Sequence, residues 1–230
     1  MLISASSEAR PFNTVFAPTL AADDLGPRVR EVMRGHMTHG RPPVWWIGPS
    51  ATPADLPEQL VTLGFLPMAA IQLMEAQLTD EAPRLPRVHV RAVRTQEELA
   101  EFVGVHQAAY GSAYDTARFT YRVLASLSLT DDAPLQHFLV RAQRAAAAVA
   151  VASAFRHDGA AGLYNVAVVP AARGRGYGTA VTWAALADSY ARGLRTATLG
   201  AEGEAVGMYR RLGFIARGEL ARVAYAPEMP

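Results

Sequence analysis

Residues 163–179 read LYNVAVVPAARGRGYGT. An apolar strand candidate stops at Pro170, and Arg173-Gly174-Arg175-Gly176-Tyr177-Gly178 then opens a helix. Glycines at such a point let the backbone turn tightly and bring successive N–H groups together. The unpaired N–H groups and the dipole of a helix start then favour an anion, and a pyrophosphate suits that arrangement. Two other readings use the same residues. A strand-to-helix turn can be glycine-rich for conformational reasons alone. A dinucleotide fingerprint G-x-G-x-x-G would need Gly where Thr179 stands, so its spacing does not fit.

The run V-x-V-x-P-x-x-R-G-x-G-x-G over 166–178 resembles the signature of the GNAT superfamily of acyl-CoA-dependent N-acyltransferases, whose loop is Arg or Gln, two residues, Gly, one residue, then Gly or Ala. Arg173, Gly176 and Gly178 fall on those three positions. Further on, Tyr209-Arg210-Arg211-Leu212-Gly213-Phe214 is similar to the family's Tyr-x-x-Leu-Gly-Phe. The resemblance runs from Val88 to the C-terminus. It implies a GNAT-like α/β fold with a mixed sheet and acetyl-CoA as co-substrate. The family's strand before the loop splays from its neighbour; here Val166 and Val168 would offer their backbone groups to pantetheine, with the Val168 N–H near the thioester carbonyl. The pyrophosphate would lie on N–H groups of Arg173, Gly174, Gly176, Gly178 and Thr179, and Arg175 with Arg210 or Arg211 would reach other phosphates. A solvated helix face is the competing reading of these arginines.

By the same resemblance Tyr209 protonates the departing CoA thiolate, a task that suits a phenol of pKa about 10. The competing reading makes it a half-buried anchor of the last helix. Where the family often has Asn, seven positions before this Tyr, Glu202 stands. An alkylamine of pKa near 10.4 is only about one part in a thousand neutral at pH 7, so its deprotonation needs help. Glu202, Glu204, His106, His157 or a water relay could supply it, and the sequence does not choose among them. Tyr110, Tyr114, Tyr121 and His106 suggest an aromatic acceptor pocket. The expected reaction is N-acetylation of a small-molecule or peptide amine; the alternatives are a non-catalytic acyl-CoA-binding sensor or interaction module, and use of a longer acyl-CoA.

The composition predicts an ordinary buried core. The chain has 230 residues, half of them apolar, and a formal net charge of +1. That balance provides no bulk field for nucleic acid or an anionic membrane, so neither is an expected partner. A homodimer stays open. There is no cysteine, which removes disulfides, thiolate metal sites and a Cys nucleophile, and no metal is expected. There is also no lysine, so a Walker-type phosphate loop cannot form. The opening MLISASSEARPF lacks the pattern of a secretory signal, and no apolar run reaches the roughly 18 residues of a membrane span. A cytoplasmic protein is expected.

Three regions are expected: a degenerate, GNAT-like N-terminal region at 1–78, a linker at 79–87 (TDEAPRLPR), and the acetyltransferase domain at 88–230. In the first, Asp23 or Asp24 caps a helix with Leu25, Val29, Val32 and Met33 inward. Val44–Ile47 follows as a strand. Thr52 then caps a helix with Pro53 at its first position and Leu56, Leu60 and Leu63 buried. Leu63-Gly64-Phe65 echoes Leu212-Gly213-Phe214, and Trp45-Trp46-Ile47-Gly48-Pro49 resembles the leading half of tandem GNAT proteins. With no glycine-rich loop, that region is expected to hold no cofactor. In the main domain the order is β-α-α-β-β-β-α-β-α-β, with Thr95-x-x-Glu98 as a capping box and strand candidates at 88–93, 137–142, 146–155, 163–169 and 196–200.

Overall fold

The computed structural model describes residues 2–3, 13–21, 24–37, 42–127, 129–142 and 147–225. Its chain forms two compact units, Met1–Leu73 with Arg217–Pro230, and Met74–Ala216. The division falls inside two strands, β4 (Phe65–Gln77) and β10 (Ile215–Tyr225). The segment 79–87, read as a linker, has no regular secondary structure and belongs to the second unit.

The first unit contains β1 (Leu2–Ile3), β2 (Thr14–Phe16), α1 (Leu25–Met37), β3 (Val44–Ile47) and α2 (Leu56–Thr62). Leu25, Val29 and Met33 of α1 are buried as their spacing predicts, whereas Val32 is half-buried and His36 takes the next inward turn. Asp24 precedes this helix, and Asp23 lies outside the described residues. These side chains meet Trp45, Leu56, Leu60 and Phe65, and Phe65 meets Trp45 edge-on at 6.0 Å. Two expectations fail here. Thr52 does not cap α2: its backbone bridges in parallel to Thr19, and Asp55 stands at the cap, with Pro57 at the second helical position. Leu63 is 41% exposed, because α2 stops at Thr62 and Leu63 is already past the helical stripe.

In the second unit the strands β5 (Val88–Ala92), β6 (Leu135–Ala142), β7 (Ala148–His157), β8 (Ala160–Val168) and β9 (Thr196–Ala201) lie in the order β9-β8-β7-β6-β5. All these pairings are antiparallel except β8 with β9, which is parallel. The start expected for β7, Ala146, lies outside the described residues. Two helices, α3 (Gln96–Tyr110) and α4 (Tyr114–Ala125), bury Leu99, Phe102, Val103 and Leu124 against Leu139, Val151 and Ala167 of the sheet. The other core holds α5 (Tyr177–Ala191) and α6 (Ala205–Arg211), which present Val181, Ala185, Leu186 and Tyr209 to Phe138, Val140, Ala152 and Leu163. The alternation of β6 (Phe138 and Val140 into one core, Leu139 into the other) is the period of a strand covered on both faces.

The same alternation breaks once in β8. Ala161 and Leu163 point into the α5 core, but Ala167, also odd-numbered, points into the α3 core. Between them Asn165 has φ +54°, and the register against β7 shifts from Tyr164↔Ser153 to Ala167↔Val151. The β8 strand thus carries one extra residue, a β-bulge, and every side chain beyond it changes face.

Half of the capping box forms as read, and the reciprocal bond shifts by one residue to Arg94. Thr95 Oγ1 accepts the Glu98 N–H at 3.2 Å, and the Glu98 carboxylate reaches back to the Arg94 N–H at 2.8 Å. Thr95→Ala should therefore lower the unfolding free energy by about 1 kcal/mol, the usual worth of an N-cap oxygen. Denaturant unfolding of the full chain measures it; a change below a few tenths would mean that α3 is held by packing alone.

Candidate active site

Strand β8 pairs with β9 only from Ala160↔Thr196 to Leu163↔Leu199, although β8 continues to Val168 and β9 to Ala201. Beyond the bulge, the Val169 N–H bonds to Val149 O of β7 at 3.0 Å. Backbone groups alternate sides along a strand, so Ala167 also faces β7, and Val166 and Val168 turn theirs away from it, to the side where β9 no longer pairs. Two donors confirm the direction. The Tyr110 hydroxyl donates to Val166 O at 3.1 Å, and Arg173 Nε donates to Val168 O at 3.4 Å.

After β8 the chain makes a short 3₁₀ turn at Pro170–Ala172 and enters the glycine-rich segment. The Arg173 N–H closes that turn on Pro170 O, so this expected anion donor is already engaged. Its guanidinium instead bonds Ala109 O at 2.9 Å in the last turn of α3, where a cation meets both an unpaired carbonyl and the negative end of the helix. The N–H groups of Gly174, Gly176, Gly178 and Thr179 meet no acceptor among the described residues, and the first turn of α5 closes with Ala180 N on Gly176 O. Gly174 and Gly176 need their glycine: φ is +73° and +81°. At Gly178 the need is space, since a Cβ there would stand 3.1 Å from Met208 Sδ and 3.4 Å from Val168 Cγ2. Arg175 is exposed outside the cleft, whereas Arg211 lines it.

These groups line one cleft of about 650 Å³, together with Tyr110, Val166, Val168, Glu204, Met208 and Tyr209. Tyr209 is 6% exposed and packs edge-on to Phe214 at 5.7 Å. The anchor role and a role in the cleft are therefore both served by one side chain. Burial, with the Tyr110 hydroxyl nearby, pushes the Tyr209 phenol above the ordinary tyrosine range, so it stays a proton donor at neutral pH. Tyr110 is pushed the same way by burial and by Glu202, while Arg173 pulls it down; the residue as a whole is 60% exposed. The His106 ring packs against Tyr110 at a tilt, with centroids 4.6 Å apart, and burial lowers its pKa.

Other expected residues lie elsewhere. His157 sits beside Asp158 where β7 turns into β8, the opposite end of β8 from Val168, and is too far to serve as base. Tyr121 donates to Gln96 across α4 and α3, and Tyr114 is exposed beneath Arg118. Of the suggested aromatic pocket, Tyr110 alone lines the cleft, with His106 behind it. Met208 and Pro86, which close on the glycines, carry no sequence signal of their own.

The GNAT acetyltransferase family model matches residues 95–214, which hold the whole of this cleft and more than half of the chain. The chain belongs to the GNAT family. It is thus an acetyltransferase-type enzyme. Its fold is similar to that of a GCN5-related N-acetyltransferase from Kribbella flavida (TM-score 0.73, 16% identity, 96% of this chain and 84% of that one). A GCN5-related N-acetyltransferase from Sphaerobacter thermophilus is similar at TM-score 0.67 and 18% identity, over 90% of this chain and 70% of that one. At such identities the likeness concerns the fold. No curated protein matches the chain. Among the described residues no helix is long and apolar enough to cross a membrane.

The cradle fits a CoA pyrophosphate: N–H groups without acceptors line a cleft from which a Cβ is excluded. Acetyl-CoA should raise Tm, as a ligand of the native state does. Gly176→Val places a branched side chain at φ +81° and its Cβ 3.3 Å from Pro86 Cδ. This variant should lose the Tm rise; an undiminished rise would move the ligand away from this turn.

Proposed function

We propose that this GNAT enzyme moves an acetyl group from acetyl-CoA to a primary amine by direct attack within the cleft. The observation that carries the reading is the shared opening of three things: unpaired loop N–H groups, the unpaired edge of β8, and the Tyr209 hydroxyl. Gly174, Gly176, Gly178 and Thr179 hold the pyrophosphate through their N–H groups. Val166 and Val168 hold the pantetheine arm as a neighbouring strand would be held. The Val168 N–H points to the thioester carbonyl, where it stabilises the negative charge that develops on oxygen.

The amine nitrogen forms its bond to the carbonyl carbon, and the carbon–sulfur bond breaks. Tyr209 gives its proton to the leaving sulfur. The attacking nitrogen loses one proton to water or a base, and that proton restores the tyrosine through solvent. Glu204, in the cleft, and Glu202, whose charge reaches Tyr110, are the carboxylates placed to pass it on. The acceptor is a small molecule or a peptide amine, and the protein works in the cytoplasm. We read the first unit as a degenerate GNAT-like half, since its sequence has no glycine-rich turn into a helix.

Release of free thiol from acetyl-CoA in the presence of an amine panel tests the reaction; binding without release would make the protein an acyl-CoA sensor. Tyr209→Phe keeps the ring against Phe214 and leaves the loop intact. Its kcat should fall at least about tenfold, the low end for a general acid, while acetyl-CoA affinity is kept. A variant with near-full kcat when chemistry limits the rate would remove the general-acid role.

Titration calorimetry should give one acetyl-CoA per chain. Two equivalent sites would contradict the degenerate reading of the first unit.

A further inference from the structure

Beneath α3, the second unit holds three linked polar side chains that the reaction above does not use, two of them buried and Asn165 half-buried. Ser153 Oγ lies 2.7 Å from His137 Nδ1 and accepts from Asn165 Nδ2 at 3.2 Å. Ser153 is fully buried and His137 is 2% exposed, with its ring against Phe102 at 4.9 Å. Their neighbours are Leu139, Val151 and Ala167, so the network stands in an apolar core. Polar groups placed there cost stability unless each is paired. Burial holds the His137 pKa down to about 4, so the imidazole is neutral and its Nδ1 lone pair can accept. The Asn165 amide donates to Ser153, and Ser153 shares a second hydrogen bond with His137 Nδ1, whose direction follows the imidazole tautomer.

Asn165 is also the residue at φ +54° that makes the bulge. Asparagine tolerates the left-handed region better than most residues, but the conformation still needs support from its surroundings. The amide bond to a buried, immobile serine gives that support. The bulge in turn sends Ala167 into the α3 core and turns the backbone of Val166 and Val168 to the open edge. A flat β8 would put Val166 and Val168 on the opposite face of the sheet.

We propose that Asn165, tied through Ser153 to His137, is a positioning residue: it sets the backbone of Val166 and Val168 for the acyl and pantetheine end of the cleft. The loop that holds the pyrophosphate lies beyond Pro170 and is independent of it. The ligand side of this inference rests on the acetyl-CoA reading above.

Three variants test it. Asn165→Gly permits φ +54° but has no amide; Asn165→Ala lacks both features; Ser153→Ala removes the hub. Two ligands are compared by calorimetry: acetyl-CoA, and adenosine 3′-phosphate 5′-diphosphate, which has the pyrophosphate but no pantetheine. Asn165→Gly should weaken acetyl-CoA about five- to tenfold, as one lost hydrogen bond does, and leave the nucleotide within about twofold. Adding Ser153→Ala to Asn165→Gly should cost no more than the worse single variant. Wild-type behaviour of Asn165→Gly would overturn the proposal, because backbone freedom alone would then suffice. Parallel loss of both ligands would overturn it too, as general damage.

Hydrogen exchange reads the bulge without any ligand. The 164–169 amides should exchange faster in Asn165→Gly, with α5 and β6 unchanged. Unchanged exchange there refutes the positioning role even if the wild-type chain binds no acetyl-CoA, an outcome that would separately refute the acetyl-CoA reading.

Discussion

A strand that loses its neighbour halfway along is the constraint on which the second unit depends. Backbone N–H and C=O groups inside a protein must find partners. Past Leu163↔Leu199, the groups of β8 that face β9 find none on that strand. Side chains occupy the two carbonyls: Tyr110 reaches Val166, and Arg173 reaches Val168. An edge of this kind accepts an extended amide-bearing ligand as readily as it would a strand.

The cleft gains its chemistry from dipoles and neutral groups more than from charge. Four N–H groups, the start of α5 and the buried Tyr209 phenol line it, while the Tyr110 hydroxyl already donates to Val166 O. Such donors need no reorganisation as charge develops, and the low dielectric strengthens them. The arginine of the family motif is spent on architecture here. Its guanidinium fastens the last turn of α3 to the end of β8, and its N–H closes the turn after Pro170.

Packing explains why the glycines differ in kind. Gly174 and Gly176 answer a backbone demand, and Gly178 answers a steric one set by Met208 and Val168. Either demand disfavours a side chain at these positions. Tyr209 shows the same economy: its ring completes the core against Phe214 while its hydroxyl belongs to the cleft.

Local chemistry was legible in the sequence. Thr95 and Glu98 are neighbours on a helix's first turn, so the cap bond from the Glu98 N–H to Thr95 follows from their spacing of three, and the 173–178 turn follows from its glycines at positive φ. The alternating strands and the stripes of α1 and α3 are likewise short-range patterns, and they came out near their expected bounds. What needed tertiary structure lies at long range. That Arg173 would serve α3, 64 residues away, that Tyr110 would cover Val166, and that Ser153 would join His137 to Asn165 depend on which strands are adjacent. Strict alternation would place Ala167 with Leu163, but one residue in the left-handed region reverses every face after it. Thr52 was lost as a cap for a similar reason: a bridge to Thr19 claimed its backbone first. Sequence spacing determined the turns, caps and periods because those are set within a few residues; pairing of strands decided the site's edges because a polar group takes whichever partner the fold brings within reach.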